Sequence, residues 1–191
     1  LSLLASATDH RGTTTFTYED RGLLTRVDHP GGTFIAYTYD ELGSVSSVTT
    51  SGGSTLYEYD DLGVLTSVTD PQGQKTTYSA DAVNLVTTIT YPNGVVATHR
   101  FNDQFLPVEY TYRDASGAVM RSFNDTYDVT HRQIRVVEED GRAVVYTYDD
   151  NQRLMSEEIS DPTNGNRLIT YTYDHVGNRL TKTDAGITAT Y

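Results

Sequence analysis

The amino-acid sequence predicts an all-β fold of tandem β-hairpins, and three observations predict it. The 191 residues include 15 tyrosines and 5 phenylalanines but no tryptophan or cysteine, and the segments between them are rich in Thr, Val, Gly and Asp. These residue types favour short strands and tight turns. A short phrase built from two aromatic residues, an acidic residue and a glycine recurs along the chain. A second set of glycine-containing turn signals alternates with that phrase.

The recurring phrase, which we call the repeat motif, reads aromatic-x-aromatic-acid-x-x-Gly. Complete copies stand at Phe16/Tyr18/Glu19/Gly22, Tyr37/Tyr39/Asp40/Gly43, Tyr57/Tyr59/Asp60/Gly63 and Tyr171/Tyr173/Asp174/Gly177. A near copy, Tyr146/Tyr148/Asp149, has Gln152 in the glycine position. Three degraded copies keep the register: Tyr78/Ala80/Asp81 with Asn84, Phe101/Asn102 with Phe105, and Tyr127/Asp128 with His131.

The spacing of these copies predicts one repeat array over residues 1–191. The second aromatic position falls at residues 18, 39, 59, 80, 101, 127, 148 and 173, which marks about eight units. The second set of turn signals lies between them, at residues 30–32, 51–53, 71–73, 92–94, 116–117, 140–141, 164–165 and 185–186. Two turns per unit imply two strands per unit, so each unit is predicted to be a β-hairpin.

Each part of the motif has a local physical reason. Residues two apart share one face of a strand, so Tyr57 and Tyr59 should point the same way. The aspartate accepts hydrogen bonds from backbone amides in the turn, and the glycine takes a positive φ. Leu65 and Val68 are three apart, which implies either a β-bulge or a sheet covered on both faces. The two longer steps predict a lengthened hairpin near 109–122 and a lengthened loop near 160–168.

An isolated hairpin is marginal in water, so neighbouring units are expected to cover the aromatic face. We expect stacked tyrosine pairs to form a ladder along the sheet, with the buried hydroxyls hydrogen-bonded at one edge. The sequence begins with leucine, which suggests a piece of a larger protein. Open strand edges would then invite self-association between copies.

Composition and charge argue against several functions. The formal net charge of −12 would repel phosphate backbones, so nucleic acid is not expected as a partner. No apolar run is long enough for membrane insertion. The five histidines are scattered and are expected on the surface or in turns, and neither metal ligands nor cofactors are predicted. Adjacent carboxylates do not supply glycosidase geometry. The acidic turns show no calcium-loop motif.

The segments YTYDELGSV, YEYDDLGVLTSVTD, YTYDDNQRL and YTYDHVGNRLTKTD resemble the YD-repeat, or Rhs, family. The resemblance extends over essentially the whole chain. It implies a continuous, curved and spiralling antiparallel sheet that closes into a hollow shell in full-length relatives. Relatives of this kind include Rhs polymorphic toxins, insecticidal toxin-complex cocoon components, wall-associated proteins and teneurin-type shells. In the toxins the shell encloses a carboxy-terminal effector, and this chain shows neither the cleavage region nor a toxin-like tail.

These observations predict a non-enzymatic structural segment of a Rhs-type shell in a secreted or cell-surface bacterial protein. It would encapsulate or display an effector domain, with the neighbouring repeats of the parent protein as its partners. An extracellular adhesion or carbohydrate-binding module with an exposed tyrosine face is the alternative. A glycan-processing enzyme on a β scaffold is a third option. Periodic aromatic residues favour a scaffold, because a binding site is normally local and irregular.

Overall fold

The structure, a computed structural model, describes residues 3–83 and 85–191. It confirms the predicted all-β class, because these residues form 18 strands and no helix. The strands are β1 (Ser6–Asp9), β2 (Gly12–Tyr18), β3 (Leu24–Asp28), β4 (Phe34–Tyr39), β5 (Val45–Thr50), β6 (Gly53–Tyr59), β7 (Leu65–Thr69), β8 (Lys75–Asp81), β9 (Val86–Thr90), β10 (Val96–Phe101), β11 (Pro107–Arg113), β12 (Val119–Tyr127), β13 (Gln133–Glu138), β14 (Ala143–Tyr148), β15 (Leu154–Ser160), β16 (Arg167–Tyr173), β17 (Arg179–Asp184) and β18 (Ile187–Thr190).

The chain divides into two compact units. Unit 1 comprises Leu1–Ser79 with Ile89–Asn93, and unit 2 comprises Ala80–Thr88 with Gly94–Tyr191. Within each unit the described strand pairs are antiparallel and join strands that follow one another in the chain, from β1 to β8 and from β10 to β18. Each unit is therefore a meander of hairpins. That the whole chain acts as one array stays a prediction.

A β-bulge interrupts the register where each described motif hairpin reaches its turn. In the hairpin of β6 and β7, Glu58 pairs with Ser67 and Tyr59 pairs with Leu65, so one residue of β7 has no partner. The bulge alternative for Leu65 and Val68 is therefore confirmed. The predicted lengthened hairpin is also present, since β12 has 9 residues and begins after a turn at residues 114–118.

The two faces of the strands differ in chemistry. One face carries the aromatic and aliphatic side chains, and in unit 2 Val144, Ile159, Ile169 and Tyr171 form a buried cluster on it, each at most 9% exposed. The opposite face carries hydroxyl side chains that pair across strands, such as Thr147 with Ser156 at 2.6 Å. Since few side chains are fully buried, contacts between neighbouring hairpins must supply much of the stability.

Candidate functional site: the junction between neighbouring hairpins

The aspartate of the motif organises the turn. The Asp60 carboxylate Oδ1 accepts hydrogen bonds from the amides of Leu62 and Val64, both at 2.9 Å, and the Gly63 amide donates to the Asp60 carbonyl. Gly63 has a φ of 76°. The carboxylates of Asp40, Asp128, Asp149 and Asp174 accept an amide from the fourth residue after them in the same way. In these turns the aspartate is thus an acceptor for backbone amides, and Gly63 takes the positive φ of its own turn.

The other three motif glycines occupy the same place in their own turns. Gly22, Gly43 and Gly177 lie outside the strands, with φ values of 82°, 88° and 97°. Their amides donate to the carbonyl of the acidic residue three positions earlier, at 2.8, 3.2 and 3.2 Å. Gly22 and Gly177 are exposed, and Gly43 is partly buried. These glycines therefore close the turns through their backbone and, having no side chain, add nothing to the aromatic face.

Copies of the motif that lack glycine keep the same backbone conformation in the turn. Phe105, His131 and Gln152 occupy the glycine position with φ values of 57°, 66° and 64°. Asp81 still accepts the Val83 amide at 3.0 Å, whereas the predicted turn position Asn84 lies outside the described residues. A side chain in the left-handed region costs about 1–2 kcal/mol. These turns therefore carry backbone strain that the glycine copies avoid.

Replacing Gln152 with glycine is expected to raise the free energy of unfolding by about 1 kcal/mol, because it relieves this strain. Gly63→Ala should lower the free energy of unfolding by a similar amount. Apart from its two chain neighbours, no described residue has an atom within 4 Å of where a Cβ at Gly63 would stand, so that variant tests the backbone alone. Urea unfolding of both variants measures the effect, and a destabilising Gln152→Gly would contradict it.

The second tyrosine of the motif joins each hairpin to the one before it. The Tyr59 hydroxyl donates to the Val45 carbonyl at 2.9 Å, and Val45 lies opposite Tyr39 in the preceding hairpin. The same link recurs along both units. It joins Tyr18 to Leu4, Tyr39 to Leu24, Tyr127 to Pro107, Tyr148 to Gln133 and Tyr173 to Leu154, at 2.7–3.0 Å. The expectation that these hydroxyls find hydrogen-bond partners is confirmed.

The first aromatic residues lie on the same face as the second. Phe16, Tyr37, Tyr57, Tyr78 and Tyr146 are partly buried, and Tyr171 is buried with its hydroxyl bonded to the Glu157 carboxylate. Opposite Tyr57 on the next strand lies Val68, and opposite Tyr37 lies Val48. Aliphatic side chains thus fill the space between successive tyrosines.

The predicted ladder of stacked tyrosine rings is wrong. Among the residues that the structure describes, no two tyrosine rings stack, and the ring pairs are those of His99 with Tyr110 and Tyr112. The physical reason is spacing. Motif tyrosines stand on alternate strands, so two strand separations of about 4.8 Å each keep them about 10 Å apart. Aromatic pairs require centroids within about 4.5–7 Å.

Arginine side chains complete the junction, and the sequence analysis missed them. Arg153 Nε donates to the Asp149 carboxylate at 2.7 Å, and its Nη1 donates to the Asp174 carbonyl of the next hairpin at 2.8 Å. Its guanidinium also lies 5.0 Å from the ring centroid of Tyr173. Arg132 contacts Asp128 and the Tyr148 ring similarly. The available signal was an arginine four residues after the aspartate in both copies.

The sequence analysis also missed aspartates in the second set of turns. Asp70 accepts the amides of Gln72 and Gln74, and Asp114 accepts those of Ser116 and Ala118. Gly73 and Gly117 take positive φ values there. Both turns spell Asp-x-x-Gly, the same pattern as the motif turn. The same pattern of hydrogen bonds from backbone amides to an aspartate therefore stabilises turns at both ends of the hairpins.

The pKa shifts follow from these contacts. The Arg153 backbone amide and the Arg153 guanidinium hold the pKa of the Asp149 carboxyl below its usual value, and the Asn178 side chain does the same for Asp174. Burial raises the pKa of the Tyr127 and Tyr171 phenols to about 12, and the Glu157 carboxylate adds to the shift at Tyr171. The aspartates therefore stay ionised and the tyrosines neutral in the junctions.

The remaining candidate residues are dispersed. Glu157 and Glu158 are adjacent on β15 and pair with different residues of β14, so their side chains point to opposite faces of the sheet. The Asp149 carboxylate accepts a backbone amide in its own turn. His10, His29, His131 and His175 lie exposed outside the strands as predicted. His99 corrects that prediction, because it is partly buried in β10, opposite Tyr110. Over residues 3–83 and 85–191, no three His, Cys, Asp or Glu side chains converge in a way that could hold a metal ion.

A family model named RHS Repeat matches residues 18–55 and 59–96. These two segments are similar to RHS repeats. The predicted family resemblance is confirmed over these two adjacent segments, each of which begins at a second tyrosine of the motif, Tyr18 or Tyr59. No curated protein sequence matches the chain.

Solved structures were also matched to the chain. The crystal structure of TcdB2-TccC3 is 12% identical, with 94% of this chain and 15% of that chain covered and a TM-score of 0.35. A Photorhabdus luminescens Tc holotoxin pore is 12% identical, with coverage of 94% and 14% and a TM-score of 0.35. A porin-like protein from Bacteroides uniformis is 14% identical, with coverage of 94% and 87% and a TM-score of 0.39. The chain therefore spans about 15% of the length of the matched TcdB2-TccC3 chain.

Proposed function

We propose that the chain is a non-enzymatic structural segment of an RHS-repeat shell that encapsulates or displays an effector domain of an exported bacterial protein. The observation that carries this proposal is the repeated junction. The same hydroxyl-to-carbonyl link appears at six second-position tyrosines, and each joins one hairpin to the chain that precedes it. The recurring residues thus hold neighbours together rather than converging on a reaction site.

The alternative function, an adhesion or carbohydrate-binding module, has less support. Its platform requires exposed tyrosine rings, but every motif tyrosine in the described chain is buried or partly buried. The second tyrosines have also donated their hydroxyl hydrogens to backbone carbonyls. Threonine and serine hydroxyls on the opposite face pair with each other across strands, as Thr172 does with Thr181 at 2.7 Å.

The scaffold proposal is tested by replacing Tyr59 with alanine. The variant is expected to lose about 2–3 kcal/mol of unfolding free energy, because it removes a partly buried ring and a junction hydrogen bond. Tyr91→Ala is the control, since Tyr91 is 38% exposed and lies between strands. In the parent protein, the same variant should make an enclosed segment protease-sensitive.

Glycan-array and glycan-hydrolysis screens of the unmodified chain complete this test, and we expect both to be negative. Glycan binding that Tyr59→Ala abolishes without changing the unfolding free energy would contradict the scaffold and favour the alternative.

The partners of the segment are proposed to be the neighbouring repeats of its parent protein, with pairing between strand edges of separate copies as a further possibility. The described β1 and β18 are exposed along their full lengths, which suits such pairing. Light scattering over a range of concentrations distinguishes a monomer from associating copies. The part of the chain that the structure describes holds no helix of the length and apolarity needed to cross a bilayer.

A further inference from the structure

A cavity on the aromatic face of unit 2 has a composition that the scaffold role does not require. It has a volume of about 380 Å³, and its lining consists of Tyr110, Tyr112, Phe123, Asp125, Gln133 and Val136. Strand register explains the grouping. Tyr110 lies opposite Phe123, and Asp125 lies two residues further along the same strand, opposite Val136. Three aromatic rings and one carboxylate therefore line one pocket on a single face, with Phe123 and Tyr110 next to Asp125.

The carboxylate is partly withdrawn from water. Burial raises the pKa of Asp125, while a hydrogen bond with the Gln133 side chain acts against that rise. A carboxylate offers about four acceptor positions, so the contact with Gln133 leaves acceptor capacity for a ligand. A cation placed here would recover the electrostatic stabilisation that Asp125 loses on burial.

Aromatic faces attract cations. Elsewhere in the chain, the cation that contacts an aspartate and an aromatic ring together is the guanidinium of arginine. In three places an arginine guanidinium contacts both an aspartate and an aromatic ring. These are Arg26 with Asp28 and Phe34, Arg132 with Asp128 and Tyr148, and Arg153 with Asp149 and Tyr173. The distances from guanidinium carbon to ring centroid are 4.0, 4.9 and 5.0 Å. Planar guanidinium groups stack on rings and bind carboxylates at once.

The cavity offers a ligand the same two partners, an aspartate carboxylate and an aromatic ring. Arg121 lies 5.8 Å from the Phe123 ring centroid, but its Nη1 lies 3.3 Å from the Glu138 carboxylate and 3.8 Å from that of Glu139. Its charge is therefore already compensated. Gln133 and Val136 on the far wall are uncharged.

We propose that this cavity binds the guanidinium side chain of an arginine presented by a peptide, with Asp125 as the anion and Phe123, Tyr110 and Tyr112 as the stacking surfaces. The volume is at the small end of the range for ligand pockets, about 300–1,000 Å³, which fits one side chain rather than a folded domain. The net charge of −12 favours the approach of a basic peptide. This site is independent of the scaffold role.

The test is an NMR titration of the 191-residue chain with Nα-acetyl-arginine N-methylamide, alongside the citrulline analogue, which has nearly the same shape but no charge. We expect saturable shifts of residues around the cavity with the arginine ligand, and binding at least about tenfold weaker with citrulline. Asp125→Asn should weaken arginine binding by about tenfold or more. Phe123→Leu, which removes the ring but keeps an apolar side chain, should weaken it several-fold.

Asp61→Asn is the matched control, because Asp61 is an exposed turn residue outside the cavity and the variant changes the net charge equally. It should bind arginine within about twofold of the unmodified chain. Absence of saturable binding, equal binding of citrulline, or equal weakening by Asp61→Asn would overturn the proposal. If Asp125→Asn does not fold, the citrulline comparison and Phe123→Leu decide the outcome.

Discussion

Replacing Tyr171 with alanine is expected to lower the free energy of unfolding by about 3–5 kcal/mol, the range for removing a buried aromatic ring. Tyr171 is 7% exposed and packs with Val144, Ile159 and Ile169, while its hydroxyl contacts Glu157. The variant opens a cavity in the most buried cluster that the described residues form. It also leaves the partly buried Glu157 carboxylate without that donor.

Urea unfolding followed by circular dichroism measures this loss. Tyr191→Ala serves as the control, since Tyr191 is 64% exposed, and it should change the free energy by no more than about 0.5 kcal/mol. A loss below about 1 kcal/mol for Tyr171→Ala would show that this cluster does not stabilise unit 2.

The second large effect is expected for Arg153→Met, at about 2–3 kcal/mol. Methionine keeps much of the aliphatic volume but loses three contacts. These are the hydrogen bonds to the Asp149 carboxylate and the Asp174 carbonyl and the contact with the Tyr173 ring. Arg153 and Asp149 are 27% and 19% exposed, so their interaction is less screened than a surface pair. The variant also leaves the Asp149 carboxylate without its cation.

Arg11→Met is the matched control for the arginine prediction. Arg11 also binds a carboxylate, that of Asp9, at 2.9 Å, but the two side chains are 76% and 46% exposed. An exposed pair of this kind contributes about 0–1 kcal/mol. Equal losses for both arginine variants would mean that Arg153 stabilises no junction between hairpins.

The sequence was sufficient to predict the strands and turns because both depend on local rules. Alternation places Tyr57 and Tyr59 on one face, and Asp-x-x-Gly specifies a turn with a positive φ at its fourth residue. The odd spacing of Leu65 and Val68 also predicted the bulge as one of two alternatives. These features need no knowledge of which atoms meet across distant segments.

The junction contacts could not be predicted in the same way. Whether a buried tyrosine hydroxyl binds another ring, a carboxylate or a carbonyl depends on the position of the preceding hairpin. The Val45 carbonyl lies 2.9 Å from the Tyr59 hydroxyl. Strand alternation predicts which face of the sheet a side chain occupies, but not which carbonyl its hydroxyl contacts. The prediction of a stacked ladder failed for the same reason, since the intervening strands β5 and β7 place Val48 and Val68 between successive rings. Arg153 joins two hairpins through contacts whose partner atoms cannot be identified from the repeat spacing alone.

The central claim is that the second tyrosine of each motif joins its hairpin to the preceding one through its hydroxyl. The most direct test compares Tyr59→Phe with Tyr57→Phe in urea unfolding. Both tyrosines lie on β6 and are partly buried, but the Tyr57 hydroxyl has no hydrogen-bond partner among residues 3–83 and 85–191. We predict that Tyr59→Phe lowers the free energy of unfolding by about 1 kcal/mol and that Tyr57→Phe leaves it unchanged within about 0.5 kcal/mol. Equal effects of the two substitutions would contradict the claim.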